Sequence, residues 1–167
     1  MGIFENTVLV DKKVSMGNVV GRGICIVLFS FCVLLSIYPF PLLLVLPAAL
    51  IGGVWYLLKF NASVEYEYTY IEGRLTVARI KGKRKRKTLA RIEMEEVILI
   101  APSTAHELYK YQNDKSIITK NCTSGNPDVR TYEVIYKTED GQNRVIFEPD
   151  EEMLDKIAVR NAKIMIR

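Results

Sequence analysis

The chain has 167 residues, of which 25% are charged, and its formal net charge is +4 at pH 7. This length leaves room for one apolar segment and one small domain, and it argues against two independent globular domains. The cysteines Cys25, Cys32 and Cys122 form no CxxC pair, which argues against a zinc site or a disulfide framework. We therefore expect a reduced protein without metal or cofactor, in which Cys25 and Cys32 act as small apolar side chains.

The apolar residues are concentrated in one block near the N-terminus. Residues 24 to 58 contain no Asp, Glu, Lys, Arg, His, Asn or Gln, and such a block would expose a large apolar surface in a soluble protein of this size. A turn at Tyr38-Pro39-Phe40-Pro41 divides it, because two prolines fix φ and remove two backbone donors. We predict two membrane spans of about 17 to 20 residues, Val19 to Tyr38 and Leu42 to Leu58.

The charges that flank the two spans predict their orientation. Lys12, Lys13 and Arg22 precede the first span and Lys59 follows the second, whereas the connecting turn carries no charge. Lys and Arg are enriched on cytoplasmic flanks, so we expect a multi-pass protein of the cell membrane with both termini in the cytoplasm. A signal peptide is the alternative, but a second apolar segment follows the first almost at once.

From Asn61 onward the pattern changes from helical to alternating, which favours strands. Thr104 to Asp114 is ambiguous and is compatible with one short helix, and a C-terminal helix begins at Pro149 and Asp150. The tyrosines of the first strand share one face, which we expect to point into a core. Seven strands are predicted, at Val64 to Tyr70, Arg74 to Ile80, Thr88 to Met94, Glu96 to Ala101, Ser116 to Lys120, Arg130 to Thr138, and Asn143 to Glu148.

These elements predict an α+β protein in three parts. A cytoplasmic N-terminal segment (residues 1–18) precedes a transmembrane helical hairpin (19–60), which is followed by a cytoplasmic domain (61–167). The domain is expected to be a small antiparallel β-barrel or sandwich of about seven strands, with the C-terminal helix closing its open end.

Several segments resemble a known family. The sequence VEYEYTY at 64–70, GRLTV at 73–77 and the basic stretch leading to Arg91 resemble bacterial pleckstrin-homology-like (PH-like) domains that follow pairs of transmembrane helices. APSTAH at 101–106, SGNPD at 124–128 and FEPDEEML at 147–154 are similar to a family of uncharacterised two-span proteins from Gram-positive bacteria. The resemblance covers nearly the whole chain. It implies a PH-like fold and assigns no catalytic residue.

The sharpest local feature of the domain is a basic stretch at residues 79–91. Just after a cytoplasmic membrane exit, each cation that reaches an anionic leaflet contributes about 1 kcal/mol, so we predict contacts with anionic lipid headgroups. The alternative is a solvated hairpin tip that only reinforces the topology. No nucleic acid is expected as partner, because no aromatic residues are interleaved with the cations. The candidate lipid-binding residues are Arg79, Lys81, Lys83, Arg84, Lys85, Arg86, Lys87 and Arg91.

Residues that could carry catalysis are few. The single histidine, His106, has Glu107 beside it, and spacing assigns it no nucleophile, although Ser103 and Cys122 remain open. No catalytic residue is therefore predicted. We expect a non-enzymatic, membrane-anchored PH-like module that binds a protein partner. The alternatives are a membrane-bound enzyme that uses His106 with nearby carboxylates, and a structural subunit of a membrane complex.

Overall fold

The computed structural model describes residues 5–35, 41–139 and 141–166, and it contains two long apolar helices, two β-sheets and two shorter helices. The helices α1 (Met16–Leu35) and α2 (Pro41–Ala62) lie against each other. Both are long and apolar enough to cross a membrane. α1 begins before the predicted Val19, and α2 continues past the predicted Leu58. Residues 36–40, which hold the end of the first predicted span and most of the predicted turn, lie outside the described residues.

The first sheet is antiparallel and contains an unpredicted strand. Its order is β1 (Glu5–Asp11), β2 (Val64–Ile71), β3 (Arg74–Lys81) and β4 (Lys85–Glu93). β1 lies within the N-terminal segment, for which no strand is predicted, and it pairs with β2 along its whole length. The two helices therefore form an insertion between two neighbouring strands of one sheet.

The second sheet has the order β5-β7-β8-β6, and its strands are β5 (Val97–Pro102), β6 (Ile118–Asn121), β7 (Tyr132–Thr138) and β8 (Gly141–Phe147). β6 runs parallel to β8, so the prediction of a purely antiparallel domain is wrong at this pair. The described residues form eight strands in two open sheets and no closed barrel. The ambiguous segment contains a 3₁₀ turn followed by the short helix α3 (Tyr109–Gln112).

The core lies on the inner face of the first sheet. Tyr66, Tyr68 and Tyr70 are buried, as their alternation predicts, and the Tyr68 ring meets Phe147 edge to face at 5.6 Å. The C-terminal helix α4 (Glu151–Asn161) covers this core with the buried side chains of Met153, Leu154 and Ile157. Asp150 caps the helix by accepting a hydrogen bond from the Met153 amide at 2.8 Å.

The chain beyond α4 returns to the second sheet. The Ile100 amide donates to the Ile164 carbonyl at 2.7 Å, and the Ile166 amide donates to the Ile100 carbonyl at 2.8 Å. One edge of β5 is therefore covered by the chain itself. β1 is at an end of the first sheet and keeps an open edge.

Strand β1 offers a matched pair of substitutions that tests its place in the sheet. Val10 packs against the core, whereas its neighbour Leu9 is 63% exposed. We expect Val10→Asp to lower the free energy of unfolding by about 2 kcal/mol or more, because it buries an unpaired charge. Leu9→Asp should change it by less than about 0.5 kcal/mol. Denaturant unfolding of the full chain in detergent measures both, and equal effects would contradict the assignment of β1.

Candidate functional site at the junction of helices and sheets

Short connections hold the helix pair on the end of the first sheet. The Lys12 amide donates to the Val64 carbonyl at 2.9 Å, which continues the β1–β2 ladder up to the point where α2 ends. The Lys13 amide donates to the Ser124 carbonyl at 2.8 Å. Between the helices, Asn18 Nδ2 donates to the Leu58 carbonyl at 3.0 Å. The orientation of the helices relative to the sheet is therefore fixed by backbone hydrogen bonds rather than left to a flexible linker.

The β3–β4 turn packs against the last turn of α2. The Gly82 amide donates to the Ser63 carbonyl at 2.8 Å. A Cβ atom on Gly82 would lie 2.5 Å from Cε2 of Phe60, and the residue has a φ of +57°. Any side chain at this position would have to displace the Phe60 ring, and the positive φ favours glycine as well. The tip of the basic hairpin is thereby held at the end of the second apolar helix.

The predicted lipid-binding residues divide into two groups. Lys83, Arg84 and Lys85 are exposed around the turn, and Lys81 pairs with Lys85 across the strands. We call Lys81, Lys83, Arg84 and Lys85 the tip cations. β4 begins at Lys85 rather than at the predicted Thr88, because the ladder with β3 extends to the turn.

The remaining members of the basic stretch lie along the strands. Arg79 and Lys87 form a cross-strand pair two positions beyond Lys81 and Lys85. Arg86 Nη2 lies 3.0 Å from Glu67 Oε1, which partly neutralises its charge. Arg91 is about 20 Å further along β4 than Lys85, at about 3.4 Å per residue. The structure thus brings the tip cations to the helix end and leaves Arg86 and Arg91 on the sheet.

Cations are concentrated where the helix pair meets the first sheet. The ion pairs found within the described part of the chain join Arg74 to Glu93, Arg86 to Glu67, Arg144 to Glu133, and Lys156 to Glu152, and none involves a tip cation. Lys12, Arg22 and Lys59, which the sequence marks only as orientation signals, line one groove at this same end. The cations of this groove outnumber its single carboxylate, Asp11, and such a cluster favours binding of an anion or an anionic surface.

His106 does not lie in a catalytic arrangement. It is exposed in a 3₁₀ turn, with its ring centroid 4.9 Å from that of Tyr109. Ser103 Oγ accepts a hydrogen bond from Thr131 at 2.9 Å. Cys122 is buried, and this burial raises the pKa of its thiol to about 11, which keeps it protonated at neutral pH. The residues that the structure describes bring no nucleophile or carboxylate into a hydrogen bond or ion pair with the imidazole.

The open edge of β1 is a second candidate surface. In an antiparallel pair, only every second residue directs its amide and carbonyl toward the partner strand. Because the Lys12 amide is directed toward β2, the amides and carbonyls of Thr7, Leu9 and Asp11 point away from it. A groove of about 690 Å³ runs beside this edge, and it is bounded across from β1 by Ser124, Asn126, Val129 and Pro149. Unpaired backbone groups beside an exposed leucine can accept a further strand.

The comparisons with known proteins identify one family. The model of the family described as Bacterial PH-like domain (DUF6106) matches residues 5–167. This match confirms the resemblance seen in the sequence, and it begins at the first residue of β1. No curated protein and no solved structure matches the chain.

The contact between Gly82 and Phe60 predicts a specific coupling. Gly82→Ala should destabilise the full chain by about 1–2 kcal/mol, because of the positive φ and of the overlap with the Phe60 ring. Adding Phe60→Ala removes the overlap, so the two changes should show a coupling energy of about 0.5–2 kcal/mol. Thermal unfolding in detergent supplies the double-mutant cycle.

Gly125→Ala is the matched control for this cycle. Gly125 also has a positive φ, of +80°, but nothing lies within 4 Å of its added Cβ. Its effect should be independent of Phe60→Ala. Additive effects of Gly82→Ala and Phe60→Ala would contradict the contact between hairpin tip and helix.

Proposed function

The chain belongs to the bacterial PH-like domain family (DUF6106), and from this premise we propose that it is a non-catalytic interaction module anchored in the cell membrane. In this proposal α1 and α2 form a transmembrane hairpin, and both termini lie in the cytoplasm. The PH-like domain is held at the membrane surface, where it presents a sheet edge to a protein partner. The observation that carries the proposal is the insertion of the helix pair between β1 and β2.

The surface of the helices supports the membrane anchor. α1 has no buried residue, and large apolar side chains such as Val27 and Leu46 are 69% and 73% exposed. Such a surface is unfavourable in water and favourable in lipid. The flanking cations Lys12, Lys13, Arg22 and Lys59 support a cytoplasmic orientation of both ends.

The hairpin tip supports contact with anionic lipid. Because Gly82 packs on the last turn of α2, insertion of that helix brings the tip cations to the headgroup layer. Each is exposed or half-exposed and has no acid partner within the described chain, so each contributes about 1 kcal/mol on an anionic surface at low salt. Arg79 and Lys87 extend the same surface. Arg86 contributes less because it pairs with Glu67, and Arg91 contributes less because it lies far from the tip along β4.

The β1 edge supports binding of a protein partner by strand addition. Its outward backbone groups give affinity to an extended segment, and the neighbouring groove gives side-chain selectivity. The same open edge is the sign that favours the second candidate function, a structural subunit of a membrane complex. In both cases the partner pairs with β1. The enzyme alternative, with His106 and nearby carboxylates, is weakened by the exposed imidazole.

Neutralising the tip tests the lipid contact. In nanodiscs, the full chain should be more stable in anionic than in zwitterionic lipid. Changing Lys83, Arg84 and Lys85 to Gln should remove about 2–3 kcal/mol of this difference. In wild type, the stability difference between the two lipids should decrease at about 0.5 M salt, because charges at an exposed surface are screened.

A charge-matched control separates the tip from net charge. Lys115, Lys137 and Lys163 are also exposed, and their change to Gln removes the same formal charge. This control should keep the preference of wild type. The lipid-contact proposal would be overturned if both triple variants lost the preference equally, or if wild type showed none.

The partner surface is tested by site-specific photo-crosslinking in cells. A photoreactive amino acid at position 9 on the β1 edge should give a discrete adduct with one protein. The matched control is position 118 on β6, since Ile118 is 59% exposed and Leu9 is 63% exposed. Adducts of the same kind from both positions, or none from position 9, would contradict a partner site at β1.

A further inference from the structure

A groove lies where the helix pair meets the first sheet. It has a volume of about 360 Å³, and α1, α2 and the ends of β1 and β2 form its walls. This is within the range of pockets that hold small ligands, about 300–1,000 Å³. Three cations and one carboxylate line it together with a serine, and these residues are Lys12, Arg22, Lys59, Asp11 and Ser63.

Two of the cations converge on one aromatic ring. The guanidinium carbon of Arg22 lies 5.9 Å from the centre of the Trp55 ring, and Lys59 Nζ lies 5.2 Å from it. Cation–π contacts favour each of these placements. Both cations are thus held beside one ring, and neither takes part in an ion pair of the described residues. A nearby anion would be stabilised by both charges.

Two buried donors next to the groove, one on Arg22 in its wall and one on Trp55 behind it, have no acceptor in the described chain. Arg22 Nε and Trp55 Nε1 are both inaccessible and make no hydrogen bond. Asn18 Oδ1, one turn before Arg22, is also unpaired, but its carboxamide is held by the bond from Nδ2 to the Leu58 carbonyl. Buried polar groups are normally paired. The Arg22 guanidinium is therefore positioned by the Trp55 ring, and its Nε has no hydrogen-bond acceptor in the described chain.

We propose that this groove binds the phosphate of one anionic phospholipid. The inference builds on the membrane anchor of the proposed function, since insertion of α1 and α2 would bring the groove to the depth of the headgroups. Arg22 offers a planar fork that suits phosphate oxygens, and Lys59 and Lys12 add point charges. The acyl chains would lie on the apolar surface of α1 beyond Arg22, where Ile26 and Val27 are 56% and 69% exposed. Asp11 disfavours a second anion and limits the site to one headgroup.

This site differs from the surface formed by the tip cations. The tip offers exposed charges that respond to the average potential of the leaflet and are screened by salt. The groove instead offers the Arg22 and Lys59 side chains, which are held beside the Trp55 ring. We expect it to bind one lipid, with an affinity that depends less on salt. The two surfaces can therefore be separated by variants.

Native mass spectrometry of the full chain in neutral detergent tests the proposal. The probes are phosphatidylglycerol, phosphatidylcholine with the same acyl chains, and inorganic phosphate. Wild type should retain one phosphatidylglycerol with about tenfold preference over phosphatidylcholine. Arg22→Gln and Lys59→Gln should each weaken phosphatidylglycerol binding about fivefold, the factor that about 1 kcal/mol per cation gives.

Two controls locate the effect. Lys115→Gln, an exposed site in the domain, should bind like wild type. The triple Gln variant of Lys83, Arg84 and Lys85 should also keep the single bound lipid, even if it loses the preference for anionic nanodiscs.

The emission of Trp55, the single tryptophan of the chain, should shift on titration with phosphatidylglycerol. The far-UV circular dichroism of Arg22→Gln without lipid should match that of wild type, which shows that a loss of binding does not come from unfolding.

Each other outcome overturns the proposal. Equal retention of the two lipids, or wild-type binding by both Arg22→Gln and Lys59→Gln, excludes a phospholipid site in the groove. Full displacement by millimolar inorganic phosphate makes the ligand free phosphate rather than lipid. If only the nanodisc experiment on Lys83, Arg84 and Lys85 fails, the proposed lipid contact of the tip cations is wrong, but the proposed lipid site in the groove is unaffected.

Discussion

Backbone pairing between β1 and β2 is the constraint on which the remaining structure depends. The two strands are neighbours in the sheet, yet the complete helix pair separates them in sequence. Their ladder brings the beginning of α1 and the end of α2 to one place, and the Lys12–Val64 hydrogen bond closes the ladder there. The helices are therefore an extended loop of the sheet rather than an appended anchor. A chain that lacked β1 would lose the strand that fixes this geometry.

The arrangement of charge follows from that constraint. Once both helix ends are at the edge of the sheet, the β3–β4 turn packs on Phe60, and the tip cations surround the same end. Lys12 comes from the end of β1, Arg22 from α1 and Lys59 from α2, and the ladder brings these three into one groove. The opposite end of the sheet carries the paired Arg74 and Glu93. The molecule is electrostatically polarised along its strands, as expected of a domain that faces an anionic surface at one end.

The sequence predicts the parts of the fold that local pattern determines. The apolar block predicts both helices, and alternation predicts β2 and β3 closely, because each buried tyrosine alternates with a polar residue. β1 shows the same alternation at Val8 and Val10, but its partner strand β2 lies beyond the helices in sequence. The parallel pairing of β6 with β8 depends on a long connection that no local signal determines.

The candidate site is predictable only in part, for a similar reason. The tip cations are contiguous in sequence, so their clustering is visible before folding. Lys12, Arg22 and Lys59 are far apart and are each explained by topology alone, so their convergence requires the β1–β2 ladder. The predicted strand begins at Thr88 and leaves out Lys85 to Lys87; lysine is depleted in strands, and cross-strand pairing with β3 overrides that preference.

The central claim is that the ladder fixes one end of the sheet at the membrane surface. Its most direct test is the distance of two labelled positions from the headgroups, with the full chain in nanodiscs and the native cysteines replaced by alanine. A fluorophore at position 83 in the β3–β4 turn should be quenched by headgroup-labelled lipid. A fluorophore at position 72 in the β2–β3 turn should be quenched far less, since it lies about 25 Å away at about 3.4 Å per residue. Equal quenching at the two positions, or stronger quenching at position 72, would contradict the claim.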